Sequence, residues 1–310
     1  MKKVVAVILC LALAAVVLAG CGSNANNTTT GNTTSSSTTS NSATKAQVTG
    51  TIAMDGSSAL LPLAQTAATQ FKAANPDLSI TANGGGSGTG LNDVLAGTVD
   101  IGNSDVYANE KLSEADAAKL VDHKVALIGV ATIVNSDVAA QVKNLTTAQL
   151  KSIFGGQVKN WSAVGGPNEA ITIINRPTSS GTRSLYQKWA LGGQTSVEGN
   201  TSLQTDDSNA LLTTVASTKG AIGYVALSYL VTANSQIGTV QLDGVDPTYA
   251  NIYSNKYQVW GYEHMYTNGQ PKANVKAFLD YMVSSDMVKT IESSGYGVIA
   301  NLNADAAASR

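Results

Sequence analysis

Apolar residues recur along this chain with two different spacings, and the two alternate. From Leu60 to Phe71 the apolar positions include Leu60, Leu61, Ala64, Ala67, Ala68 and Phe71, a spacing that puts them on one face of a helix. The short run Ile52 to Met54 just before it predicts a strand, and Ser57 and Ser58 fall where an N-cap belongs. The order repeats downstream. Leu91-Asn92-Asp93-Val94-Leu95-Ala96 predicts a helix, and Thr98 to Asp105 a short strand that breaks into a turn. Ile171, Ile173 and Ile174 predict a strand leading to a helix over Leu185 to Trp189. Such alternation predicts an α/β fold from about Val48 to the C-terminus, in a stretch long enough for two lobes. The polar stretch Val121-Asp122-His123-Lys124 reads as a helix end. Tyr249, Tyr253, Tyr257, Trp260, Tyr262 and Tyr266 crowd into one segment, which predicts an aromatic-rich return crossing between lobes in preference to a sugar-stacking surface.

The N-terminal region breaks this pattern. Met1 to Gly20 opens with Lys2 and Lys3, runs apolar from Val4 to Leu18 and leads into Cys21. The run is too short for a stable spanning helix and has the layout of an export signal (residues 1–20). Leu18-Ala19-Gly20-Cys21 resembles the bacterial lipobox, which implies cleavage before Cys21 and lipidation of its thiol. Cys10 leaves with the signal, so no cysteine remains for a disulfide or a thiolate metal site. Residues 21–45 are that cysteine and a Ser/Thr/Asn-rich stretch too polar to bury anything, a flexible tether spanning on the order of 25 Å. The chain carries 19 basic and 21 acidic residues, and loss of Lys2 and Lys3 makes it more acidic still. No basic field attracts nucleic acid, so any anion must be captured by local donors.

Those donors concentrate where predicted strands meet predicted helices. In Asn175-Arg176-Pro177-Thr178-Ser179-Ser180-Gly181-Thr182-Arg183, hydroxyls, helix N-terminal amides and a guanidinium converge, which is the chemistry of an anion site. Met54-Asp55-Gly56-Ser57-Ser58-Ala59 offers the same groups. Asn83-Gly84-Gly85-Gly86-Ser87-Gly88-Thr89-Gly90 precedes a helix, and its glycines let the backbone approach a ligand closely. Asp105 at the mouth of the Thr98 to Asp105 turn places a carboxylate beside such a site, which suits only an anion that still carries a proton. Hydrogen phosphate does and sulfate does not; an ionised Asp accepts from P–OH but repels a fully deprotonated oxyanion.

Asp55-Gly56-Ser57-Ser58, the Gly84 to Gly90 run, Val99-Asp100-Ile101-Gly102-Asn103-Ser104-Asp105 and Arg176 to Arg183 occur in that order, with Gly220-Ala221-Ile222-Gly223-Tyr224 behind them. Together they resemble the PstS-type phosphate-binding lipoproteins of bacterial phosphate ABC importers. The resemblance implies a two-lobed α/β fold of the type II periplasmic-binding-protein kind. Lobe 1 would be 46–133 plus 256–310 and lobe 2 134–255, with crossing strands near Ile133-Val134 and Tyr257 to Trp260 closing on the anion. It implies phosphate held by Ser57, Ser58, Ala59, Ser87, Asp105, Arg176, Ser180, Gly181 and Thr182. The first-helix ligand stays open among Ser57, Ser58 and Ala59, because Ala59 stands where many relatives carry a hydroxyl; Pro177 removes a backbone donor beside Arg176. The family further implies a lipid-anchored monomer on the extracytoplasmic face of the cell membrane, with inorganic phosphate as ligand. It has no catalysis, cofactor or metal, and delivers to importer permease subunits with their ATPase.

Other readings meet obstacles in the residues. The Gly84 to Gly90 run lacks the Lys-Ser/Thr of a nucleotide P-loop, and its spacing misses the dinucleotide fingerprint. Ser87 has Thr89 where Gly-x-Ser-x-Gly needs glycine, and only His123 and His264 offer a base for a hydrolase. Two histidines without a thiolate make a zinc site a poor fit. A receptor for sulfate or molybdate, or an adhesion or sensing protein on the same fold, remains as an alternative.

Overall fold

The computed structural model describes residues 47–196, 204–233 and 235–310. The export signal (1–20), Cys21 and the tether (21–45) lie outside the described residues. Among the described residues nine strands make one curled sheet in the order β2-β1-β3-β9-β4-β7-β6, with β8 pairing β4 and β5 off that path. They are β1 (Gly50–Gly56), β2 (Leu78–Ala82), β3 (Ile101–Ser104), β4 (Leu120–Asn135), β5 (Asn144–Leu145), β6 (Thr172–Ile173), β7 (Ala221–Ala226), β8 (Ile237–Leu242) and β9 (Trp260–Asn268). β1, β2 and β3 run parallel and are linked by α1 (Leu61–Ala74) and α2 (Ser87–Ala96), as crossover connections require.

β4 holds the sheet together. Its first part, Leu120 to Gly129, pairs antiparallel with β9. From Val130 onward it pairs with β7, and from Thr132 also with β8. A strand flanked on both sides and covered on both faces must be apolar almost throughout, and every residue from Val125 to Asn135 is buried. The predicted helix end at Val121 to Lys124 is therefore a strand. His123 lies opposite Met265 of β9, and pairing with that neighbour overrides the local polarity of the stretch.

Two main apolar cores flank the sheet. One packs α1 residues such as Leu63, Ala67 and Phe71 against Phe278 and Leu279 of the helix Ala273–Met282. The other gathers Phe154, Trp161, Tyr186, Tyr224 and Trp260, with the Tyr186 and Tyr224 rings stacked at 4.2 Å. Among the described residues no helix is long and apolar enough to cross a membrane.

Candidate functional site

The polar junctions found in the sequence come together between these cores. At the end of β1, Ser57 takes the capping role: its Oγ accepts from the amides of Ala59 and Leu60, each at 3.0 Å, at the entrance to α1. α2 begins at Ser87, so Ser87 to Gly90 form its first turn and do not precede a helix at Leu91 as predicted. The reason is Gly86: its φ of +92° ends the loop there, and a Cβ on it would collide with Asp206 Oδ2. Ser180 caps the helix Gly181–Trp189 through its Oγ and the Arg183 amide. Gly181 allows the close approach of that helix to α2, since a Cβ there would sit 2.1 Å from Ser87 Oγ.

Asp105, directly after β3, is the centre of the cluster and is buried. Ser57 Oγ donates to its Oδ1 and Thr182 Oγ1 to its Oδ2 at 2.7 Å, while its amide donates to Ser87 Oγ at 3.0 Å. Arg176 has no exposed surface. Its Nη1 donates to the Asp206 carbonyl at 3.1 Å, its Nη2 to Ser208 Oγ at 3.0 Å, and its Nε has no partner. Ser58 Oγ donates to the same Asp206 carbonyl at 2.6 Å and lies 3.2 Å from Ser208 Oγ. The structure thus brings all nine candidate residues into one cluster. Ser57 stands on the Asp105 side, Ser58 on the Arg176 side, and Ala59 contributes an amide turned toward the Ser57 hydroxyl.

The cluster holds groups beyond the nine. Asp206 lies 3.8 Å from Arg176 Nη1 and accepts from Ser179 Oγ; burial pushes its carboxyl above the ordinary range, with Arg176 opposing. Thr205-Asp206-Asp207-Ser208 before Ala210-Leu211-Leu212 carries a helix-start signal, and Asp207 caps the helix Ser208–Ser217. That signal was present in the sequence and is of the same kind as the other three. Lys111 had none. Its Nζ donates to the Thr178 and Ser180 carbonyls at 2.6 and 3.0 Å and to Ser184 Oγ at 2.8 Å; burial pulls its ammonium below the usual lysine range, against the charges of Asp105 and Asp206.

Chemically, this is a set of hydroxyls, helix N-terminal amides and a sealed guanidinium, with carboxylates that can only accept. The histidines are occupied elsewhere: His123 Nε2 faces Thr267 Oγ1 and His264 Nδ1 faces Asp122 Oδ1. Among the described residues no group of His, Cys, Asp and Glu is placed to hold a metal ion.

The model of the PBP superfamily domain matches residues 41–286. The phosphate-binding protein PstS of Bacillus subtilis (strain 168) is 45% identical over 245 residues, covering 79% of this chain and 79% of that protein. The chain belongs to the PstS family. A solved structure described as a putative phosphate ABC transporter substrate-binding protein with bound phosphate from Clostridium perfringens superposes with a TM-score of 0.71. It is 26% identical and covers 80% of this chain and 98% of its own. An ABC-type phosphate transport receptor from Vibrio cholerae superposes with a TM-score of 0.63, also at 26% identity, over 79% of this chain and 99% of that one. The α/β architecture is accordingly the periplasmic-binding-protein-like fold of PstS.

Proposed function

We propose that this protein is an extracytoplasmic receptor that binds inorganic phosphate and delivers it to an ABC importer, with no bond made or broken. One observation carries the reading: a buried carboxylate, Asp105, sits among donors where an anion is to be held, and receives the hydroxyls of Ser57 and Thr182. A fully deprotonated oxyanion would leave Asp105 facing like charge, whereas a P–OH donates to it. Arg176, the hydroxyls of Ser58, Ser87 and Ser180 and the amide at Gly181 take the place of water on the other phosphate oxygens, while Thr182 and the Ala59 amide hold Asp105 and Ser57 in place.

Residues 46–133 plus 256–310 and residues 134–255 act as two lobes that close on the anion by bending about β4 and the segment leading into β9. Support comes from bonds that join the two sets across the cluster: Gly88 N to the Ser179 carbonyl at 2.9 Å, Ser58 to Asp206, and Lys111 to the 178–184 segment. The receptor works as a monomer held by lipid on Cys21, and it touches the importer's permease subunits, which couple to their ATPase. The test is calorimetric titration of residues 45–310, stripped of anion by partial unfolding, with phosphate and then sulfate at neutral pH. One-to-one phosphate binding without sulfate binding is expected. Equal or tighter sulfate binding would remove Asp105 from the ligand's surroundings, and binding of neither would overturn the receptor reading.

A further inference from the structure

Glu263 lies in β9 with no exposed surface, and neither of its carboxyl oxygens meets an N–H or O–H donor. A buried acid without a donor is costly if charged. Its position follows from the strand register. β3 and β9 run antiparallel with Asn103 opposite Met265 and Ser104 opposite His264, and continuing that register one step past the end of β3 directs Asp105 toward Glu263. Gly261, two residues earlier and therefore on the same face, would carry a Cβ 3.4 Å from the Asp105 carbonyl oxygen. Asp105 is the charged group that acts on the Glu263 carboxyl, and it acts to raise it.

Two facing carboxylates in a buried site do not both ionise. Which one keeps the proton follows from their surroundings. Asp105 receives two hydroxyl donors, and Glu263 receives none. The titratable groups that act with Glu263 include Asp105 and the phenols of Tyr249 and Tyr296, and none of these three is a cation. Burial, and after it the charge of Asp105, holds the Glu263 carboxyl well above the usual carboxylate range.

We propose that Glu263 is a positioning residue of the anion site, a neutral carboxylic acid that donates its proton as a hydrogen bond to the Asp105 carboxylate. The inference rests on the phosphate reading above for its functional half, and the protonation stands apart from it. A carboxylate offers about four acceptor positions. Ser57, Thr182 and Glu263 occupy three on Asp105, which leaves one for the ligand. Glu263 thereby limits the site to a single added negative charge and aims the remaining acceptor at one P–OH.

The experiment compares the full chain with Glu263→Gln and Glu263→Leu. Infrared difference spectra of wild type against E263Q at neutral pH should show the C=O stretch of a protonated carboxylic acid that is lost in the variant. E263Q keeps a donor toward Asp105 and should bind phosphate as wild type does while still excluding sulfate. E263L keeps the volume but not the donor, and its preference for phosphate over sulfate should fall by about tenfold or more, the worth of one hydrogen bond to a charged group. Absence of the band in wild type overturns the proton on Glu263. A present band with unchanged selectivity in E263L overturns the positioning role. Wild type that shows the band but binds no phosphate refutes the receptor reading and leaves the protonated acid established.

Discussion

Replacing Asp105 with Asn tests the selectivity argument most directly, because the two side chains have the same shape and differ in charge and in one donor. For phosphate, Asp105→Asn removes a charge-assisted bond from P–OH, worth about 1.5–3 kcal/mol, so affinity should weaken by roughly 10- to 150-fold. For sulfate the change has the opposite sign: a like charge disappears and an amide N–H can donate, a gain of similar size. A second effect runs alongside. Ser57 and Thr182 both donate to the carboxylate, and in the variant one of them must turn and accept from the amide. That rearrangement burdens both complexes equally and cancels in the ratio. The phosphate-to-sulfate preference should therefore fall by about two to four orders of magnitude, read by calorimetric titration with each anion at neutral pH. An unchanged ratio, with phosphate affinity merely reduced, would mean that Asp105 holds the hydroxyls in place but never meets the ligand, and the discrimination would have to be sought at Arg176 or Asp206.

Three further outcomes follow from particular contacts. Gly181→Ala places a methyl 2.1 Å from Ser87 Oγ and 3.0 Å from the Asp105 Cβ, so phosphate affinity should drop sharply while the melting temperature of the unliganded protein changes little; a large melting loss with intact affinity would refute the close-approach argument. Lys111→Met keeps the stem but removes the three bonds of its ammonium to the 178–184 segment, and phosphate Kd should rise by about 30-fold, for a loss of about 2 kcal/mol. Calorimetry of that variant giving a wild-type Kd would show that the bonds do not hold the bound form. Glu263 retains its proton when folded and releases it above its ordinary 4.5 when unfolded, so the folded protein binds more protons and stability falls as pH rises. Denaturant unfolding should show E263Q gaining on wild type by about 1.4 kcal/mol per pH unit above that value until the folded acid itself titrates; a difference that does not vary with pH would contradict a neutral Glu263.

Much of the site was legible because its parts sit at helix starts, where capping residues and glycines leave a local mark. Ser57, Ser87 and Ser180 each occupy such a junction, and the structure finds each of them there. Asp206 and Ser208 carried a comparable mark at a fourth junction. Lys111 and Glu263 carried none, because their roles arise from partners distant in sequence: Lys111 meets a segment about 70 residues onward, and the pairing of β3 with β9 directs Glu263 toward Asp105. The misplaced start of α2 has a local cause, the positive φ of Gly86, which no periodicity of apolar residues reports. His123 was misread for the opposite reason: its stretch looks polar by itself, and only pairing with β9 makes it a strand.

The sealed Arg176 bears on how fast the anion arrives. A guanidinium with no exposed surface, in a chain of formal net charge −2, casts little field into solution, and beyond a Debye length of about 8–10 Å that field is screened. With the lobes closed, an anion outside therefore feels little attraction from Arg176. By this reading the guanidinium adds little electrostatic steering, and capture depends on encounter and on how often the lobes part to admit an ion. Added salt, which slows steered association, should then change the capture rate little, as stopped-flow mixing with phosphate would check.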